Sequence, residues 1–161
     1  MPPRASALAY RADIDGLRAI AVTAVLVYHA DPAWLPGGLL GVDLFFVLSG
    51  YLITSIGLAA RRSGRFRISH FYERRARRLL PALVLVISGT LASGLVVLQP
   101  QELLALAKST IAALLWVVNI LFWQTSGYFG EAANAQPLLH LWSLSVEEQY
   151  YLFFPLLLAF L

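Results

Sequence analysis

Apolar residues fill blocks of about twenty along nearly the whole chain, separated by short stretches rich in proline, glycine or charge. Residues 38–60 carry one charge, Asp43; residues 79–98 carry none; residues 103–123 carry only Lys108. Such blocks match the roughly 20 residues that an α-helix needs to cross a hydrocarbon core of about 30 Å. A further block, residues 17–36, holds the apolar run from Ala19 to Tyr28, and a last one begins at Val146 and continues to Leu161. The pattern predicts an all-α fold: a polytopic membrane helix bundle with five helices, over 17–36, 38–60, 79–98, 103–123 and 146–161, in one domain covering 1–161. The last block is short of a comfortable span, so the sequence reads as the front part of a larger bundle.

Composition supports the membrane class. The chain has 161 residues, of which 59% are hydrophobic and 13% charged, and its mean hydropathy is +0.70. It has no cysteine, which excludes disulfides, thiolate metal sites and cysteine nucleophiles. Arg4 and Arg11 followed by an apolar stretch resemble a signal peptide, but Arg18 and His29 bracket that stretch and no small-residue cleavage site follows. The segment reads as a retained first helix.

The net charge of +3 conceals an asymmetry: of the 12 basic residues, only Lys108 lies beyond residue 78. Arg61, Arg62, Arg65, Arg67, Arg74, Arg75, Arg77 and Arg78 crowd the connection between two apolar blocks. Such a position is what the positive-inside bias produces, and it makes nucleic acid a poor partner. It places the amino terminus and residues 61–78 in the cytoplasm and residues 31–36 and 99–102 outside. If 103–123 crosses fully, residues 124–141 return to the cytoplasm; yet they carry Glu131 and no lysine or arginine, so a re-entrant fourth segment remains an alternative. The linker around Gly127 and Gly130 is the one polar connection there.

Arg18 and His29 are eleven residues apart. At about 100° per residue this spacing puts them on one helix face, about 16 Å apart along the axis. Ionisable groups in a bilayer are costly and ordinarily face an interior where they act. His29 could be a hydrogen-bonding group between helices or a general base or acyl acceptor; Arg18 could be an interfacial anchor. The polybasic segment orients the chain and attracts anionic lipid. Its spacing also puts Arg75 with Arg78, or Arg74 with Arg77, on one face, where two guanidiniums suit a polyanion such as nucleotide phosphates. Asp43 reads as structural. Ser145 and Glu148 have capping-box spacing, whereas Glu147 shares a face with His140 and Tyr151 if the last helix extends back far enough. Metal binding is not expected, because the three histidines lie in separate segments.

Four ordered motifs carry a resemblance. They are Arg18-x10-His29; Gly41-Val-Asp-Leu-Phe-Phe-Val-Leu-Ser-Gly-Tyr-Leu-Ile-Thr54; Phe71-Tyr-x-Arg-Arg-x-x-Arg-Leu-x-Pro81; and Trp142-Ser-Leu-Ser-Val-Glu-Glu-Gln-Tyr-Tyr151. Together they closely resemble the acyltransferase-3 family of bacterial membrane O-acyltransferases, over the first half of a domain of about ten helices. The resemblance implies a bacterial inner-membrane enzyme that moves an acyl group, acetyl by default, from cytoplasmic acyl-coenzyme A to a hydroxyl of a surface glycan or small molecule, with no permanently bound cofactor. It implies catalytic roles for His29, Arg18 and Glu147. Arg75 and Arg78, with Arg74 beside them, become the contact for the phosphates of acetyl-coenzyme A. Without the later helices a closed cavity is not expected, and the 161 residues alone read as catalytically incomplete. The rival reading is a carrier or lipid-binding module with an intramembrane Arg/His/Glu path; a non-enzymatic anchor is a third.

Overall fold

The computed structural model describes residues 11–64, 66–125 and 136–160. Arg4, Arg65, Gly127, Gly130 and Glu131, and with them most of the polar linker, lie outside the described residues. Six helices are described: α1 (Ala12–Ala30), α2 (Leu40–Arg62), α3 (Ile68–Val97), α4 (Pro100–Leu114), α5 (Val118–Thr125) and α6 (Leu141–Phe160). They fall into two compact units, Met1–Phe66 and Arg67–Leu161. The helices α2 and α3 are long and apolar enough to cross a membrane. Large apolar side chains such as Leu85, Val96 and Val97 stay exposed on α3, a surface suited to lipid tails rather than water.

In the first unit α1 and α2 pack against each other. The turn between them is built by Asp31, whose carboxylate accepts the Ala33 N–H at 2.9 Å, and by the breakers up to Gly38. Close approach is possible because Gly38 and Gly41 have no side chain. A Cβ on Gly41 would overlap the Ala21 carbonyl and press on Val25, and one on Gly38 would overlap the Ala24 carbonyl and Tyr28.

In the second unit α3 and α4 pack together, α4 packs on α5, and α6 touches all three. Leu83 and Ile87 of α3, Leu106 of α4, Val118 and Phe122 of α5 and Leu138 before α6 form the core. The α4 helix opens with Pro100 in its first turn, and the Gln99 N–H donates to the Glu102 carboxylate at 2.9 Å, satisfying a donor that the helix leaves orphaned.

The structure departs from the expected five helices at residues 103–123, which form two short helices rather than one span. Trp116 stands between them with φ of 58°. The Val117 N–H reaches the Ala112 carbonyl at 2.8 Å and the Trp116 N–H reaches Ala113 at 3.1 Å. This pair of bonds is a Schellman C-cap, in which the left-handed position ordinarily belongs to glycine. The block contains no glycine or proline, so nothing local announces the break. The α3 helix also extends further than its apolar block, taking in the arginines from Arg74 to Arg78, and continues through Pro81.

Substituting Gly41 by valine should cost about 1–3 kcal/mol through overpacking of the α1–α2 contact. Gly50→Ala, where an added Cβ meets nothing, should leave stability unchanged or raise it by about 0.5–1 kcal/mol. Thermal denaturation in detergent micelles checks both.

Candidate functional site

The first unit carries the Arg18/His29 pair on α1. The Arg18 guanidinium lies over the Phe45 ring of α2, 4.9 Å from its centroid, and 3.9 Å from the Asp15 carboxylate one turn earlier. The ring contributes a cation–π attraction and the carboxylate a long ion pair. The Arg18 Nε is nevertheless buried and has no hydrogen-bond partner among the described residues. At the start of α1, Arg11 holds Asp13 through hydrogen bonds of 2.9 and 2.6 Å, which pull the Asp13 carboxyl down to about 2.

His29 sits near the far end of α1. Its Nδ1 is 2.8 Å from the Val25 carbonyl. A carbonyl only accepts, so Nδ1 carries the hydrogen, and in the neutral ring Nε2 keeps its lone pair. The bond runs four residues back along the same helix and orients the imidazole. The ring also meets Tyr28 edge-on at 5.6 Å. His29 is exposed, so a substrate proton can reach it.

In the second unit the arginines of the two registers have different surroundings. Arg75 turns towards α6 and its Nη2 donates to Glu148 Oε1 at 2.6 Å, with side-chain exposures of only 19% and 12%. Its guanidinium lies over the Tyr151 ring, 3.5 Å from the centroid. The Tyr151 hydroxyl donates to Glu147 Oε1 at 2.6 Å. Glu147 and Arg75 are therefore linked through Tyr151. One turn before Arg75, the Tyr72 hydroxyl donates to the Leu152 carbonyl at 2.7 Å. Arg74 and Arg78 are exposed and make no ion pair among the described residues, while Arg77 pairs with Glu73 at 2.8 Å on the surface.

These placements correct one expectation and decide another. Glu148 does not close a capping box with Ser145, because α6 begins at Leu141 and Ser145 is buried inside it. The shared face of Glu147 and Tyr151 is realised as a direct bond, while His140 stays in the turn before the helix. Three consecutive polar residues leave α6 about 100° apart, so they serve different neighbours: Glu147 serves Tyr151, Glu148 serves Arg75 and Gln149 serves α5. Gln149 donates to the Trp116 carbonyl at 2.7 Å and exchanges hydrogen bonds with Asn119 at 3.0 and 3.3 Å. Sequence reasoning assigned no role to Gln149, Asn119, Phe45 or Tyr72. The only available signal was Asn119, a lone amide inside an apolar block. A cavity of about 210 Å³ lined by Gln101, Lys108, Ser109, Thr125 and Gln136 among others contains none of the six expected site residues.

Removing one partner of the Arg75–Glu148 pair leaves a buried charge without compensation. Arg75→Ala should cost about 3–5 kcal/mol, and the double substitution Arg75→Met with Glu148→Leu should recover most of the loss. A double-mutant cycle by denaturant titration in micelles measures both.

The chain is 43% identical over 156 residues to the O-acetyltransferase OatA of Staphylococcus aureus strain NCTC 8325, covering 94% of this chain and 25% of that protein. A putative O-acetyltransferase of S. aureus strain MSSA476 is 42% identical over 151 residues, covering 93% and 25%. The chain thus spans about a quarter of the length of the curated relatives it matches. No solved structure matches it. The family model for the acyltransferase domain covers residues 11–161, so that Arg18, His29, the arginines of α3 and the Glu-Glu-Gln run of α6 all lie within one matched domain: the chain is an integral membrane protein belonging to the acyltransferase-3 family.

Proposed function

We propose that the protein is a membrane O-acetyltransferase that moves an acetyl group from cytoplasmic acetyl-coenzyme A to a hydroxyl of a surface glycan or small molecule. The observation that carries this reading is the correspondence of nearly the whole chain with O-acetyltransferases. The chemistry of His29 supports it. With Nδ1 committed to the Val25 carbonyl, Nε2 is the atom that accepts a proton. As the acceptor O–H bond breaks, its hydrogen passes to Nε2 and the oxygen forms a bond to the thioester carbonyl carbon. The C–S bond then breaks, and the proton on Nε2 passes to the departing sulfur, leaving coenzyme A as its thiol. In the alternative order Nε2 bonds to the thioester carbonyl carbon as the C–S bond breaks and coenzyme A leaves as its thiolate; the acceptor oxygen then bonds to that carbon, its proton passes to the thiolate, and the C–N bond breaks to free the neutral ring.

Arg18 holds a donor phosphate or polarises the thioester carbonyl. Its separation of about 16 Å from His29 favours the phosphate, because the pantetheine arm bridges such a distance, and its Nε has no hydrogen-bond partner among the described residues. Arg74, Arg75 and Arg78 supply cytoplasmic positive charge that suits nucleotide phosphates. Glu147 acts through Tyr151 on Arg75, a supporting part rather than a contact with the reacting atoms. This assignment places the protein in the bacterial inner membrane, with the amino terminus and residues 61–78 on the cytoplasmic side.

Expressed from its complete open reading frame in oriented vesicles, the protein should transfer label from radiolabelled acetyl-coenzyme A to a glycan or small acceptor. His29→Ala should lower the rate by about 10²–10⁴-fold, the range of a lost general base. Transfer undiminished in His29→Ala would overturn the role of His29. A folded parent that moves substrate without consuming acetyl-coenzyme A would favour a carrier.

A further inference from the structure

We infer that Glu148 and Tyr151 are positioning residues that hold Arg75 as a preorganised guanidinium for the nucleotide phosphates of the acyl donor. The inference rests on the proposed use of acetyl-coenzyme A and deepens it: Glu148 has no role in that proposal, and Tyr151 appears there only as the link from Glu147.

The geometry constrains Arg75 on two sides. Glu148 takes a hydrogen from Nη2 at 2.6 Å, and the Tyr151 ring covers one face of the guanidinium at 3.5 Å. An arginine side chain has substantial rotamer freedom, most of which is lost when it grips an anion. Here that loss is incurred on folding, before any donor arrives. The arginine is also not exhausted. Its Nε has no hydrogen-bond partner among the described residues, and 19% of the side chain stays exposed, so it keeps unused donor capacity and an accessible side. Arg74 and Arg78 differ: exposed and without an ion pair among the described residues, they attract anions through their charge without a defined geometry.

Tyr151 is itself held. Its hydroxyl donates to Glu147 at 2.6 Å, and only 2% of its surface is exposed. The chain of contacts therefore runs from the α6 backbone through Glu147, Tyr151 and Glu148 to the guanidinium on α3. The Tyr72–Leu152 bond fixes the same pair of helices one turn away.

The test compares kcat/KM for acetyl-coenzyme A with kcat/KM for S-acetylpantetheine, which carries the thioester but none of the nucleotide phosphates. Any loss of folded protein lowers both values equally and cancels in their ratio. The parent should prefer acetyl-coenzyme A. Glu148→Gln should reduce that preference by about tenfold and Tyr151→Leu by about fivefold, mainly through KM for the phosphate-bearing donor, as expected of lost ground-state binding. Glu148→Asp, which keeps the charge, should restore part of the preference. If Arg75→Gln abolishes the preference while Glu148→Gln and Tyr151→Leu leave it intact, the positioning role is wrong and the donor contact stands. If the parent transfers acetyl groups without preferring the phosphate-bearing donor, the contact itself falls and the positioning role falls with it.

Discussion

A polar or charged group on a helix that is apolar over most of its surface needs a partner close at hand, because neither lipid nor a packed core supplies one. Most of the described functional groups obey that constraint, although the Nε atoms of Arg18 and Arg75 stay unpartnered among the described residues. Arg18 lies over Phe45, His29 bonds back to its own helix, Arg75 meets both a carboxylate and a ring, and Gln149 and Asn119 satisfy each other. The compensating groups come mostly from other helices. Polar satisfaction and helix packing are consequently one problem, solved together.

The second unit shows how that coupling shapes backbone as well as side chains. Trp116 occupies a left-handed conformation that an L side chain adopts at a cost of about 1–2 kcal/mol. The Schellman bonds satisfy the end of α4, and Gln149 takes up the Trp116 carbonyl from across the unit. The strained turn is thus over-determined by its surroundings. Because Gln149 is the immediate neighbour of Glu148, the same turn of α6 that anchors the α4–α5 break also presents the carboxylate to Arg75. An error in the rotation of α6 would disturb both.

The first unit relies on close packing more than on polar exchange. Gly38 and Gly41 let the turn and the start of α2 approach the backbone of α1 at Ala21 and Ala24, as small residues do where helices meet in membranes. That contact fixes α2 against α1 and puts the Phe45 ring beneath Arg18. Gly41, the first residue of the second motif, therefore matters to a site residue in the first without being one of the site residues itself.

Hydrophobic blocks, the arginine cluster and the ordered motifs were enough to establish the all-α membrane class and the family, and to nominate six residues for the candidate site. Each depends on composition or on spacing along a single helix, which a sequence displays directly. The i, i+4 relation of Glu147 and Tyr151 is of this kind. Contacts between helices were not legible. Arg75 and Arg74 are adjacent and chemically identical, and only the approach of α6 makes one a buried ion-pair partner and leaves the other exposed. Glu148 had a sufficient local explanation as a helix cap, and it lost that role because Leu141 rather than Ser145 begins the helix. The break at Trp116 had no local signal at all, since the residues that stabilise it, Asn119 and Gln149, are brought together across thirty positions of sequence. Local periodicity determines which helices form and which residue types they carry. Which of two neighbouring charges is buried depends on desolvation and on the reach of a partner from another helix, and only the folded packing decides that.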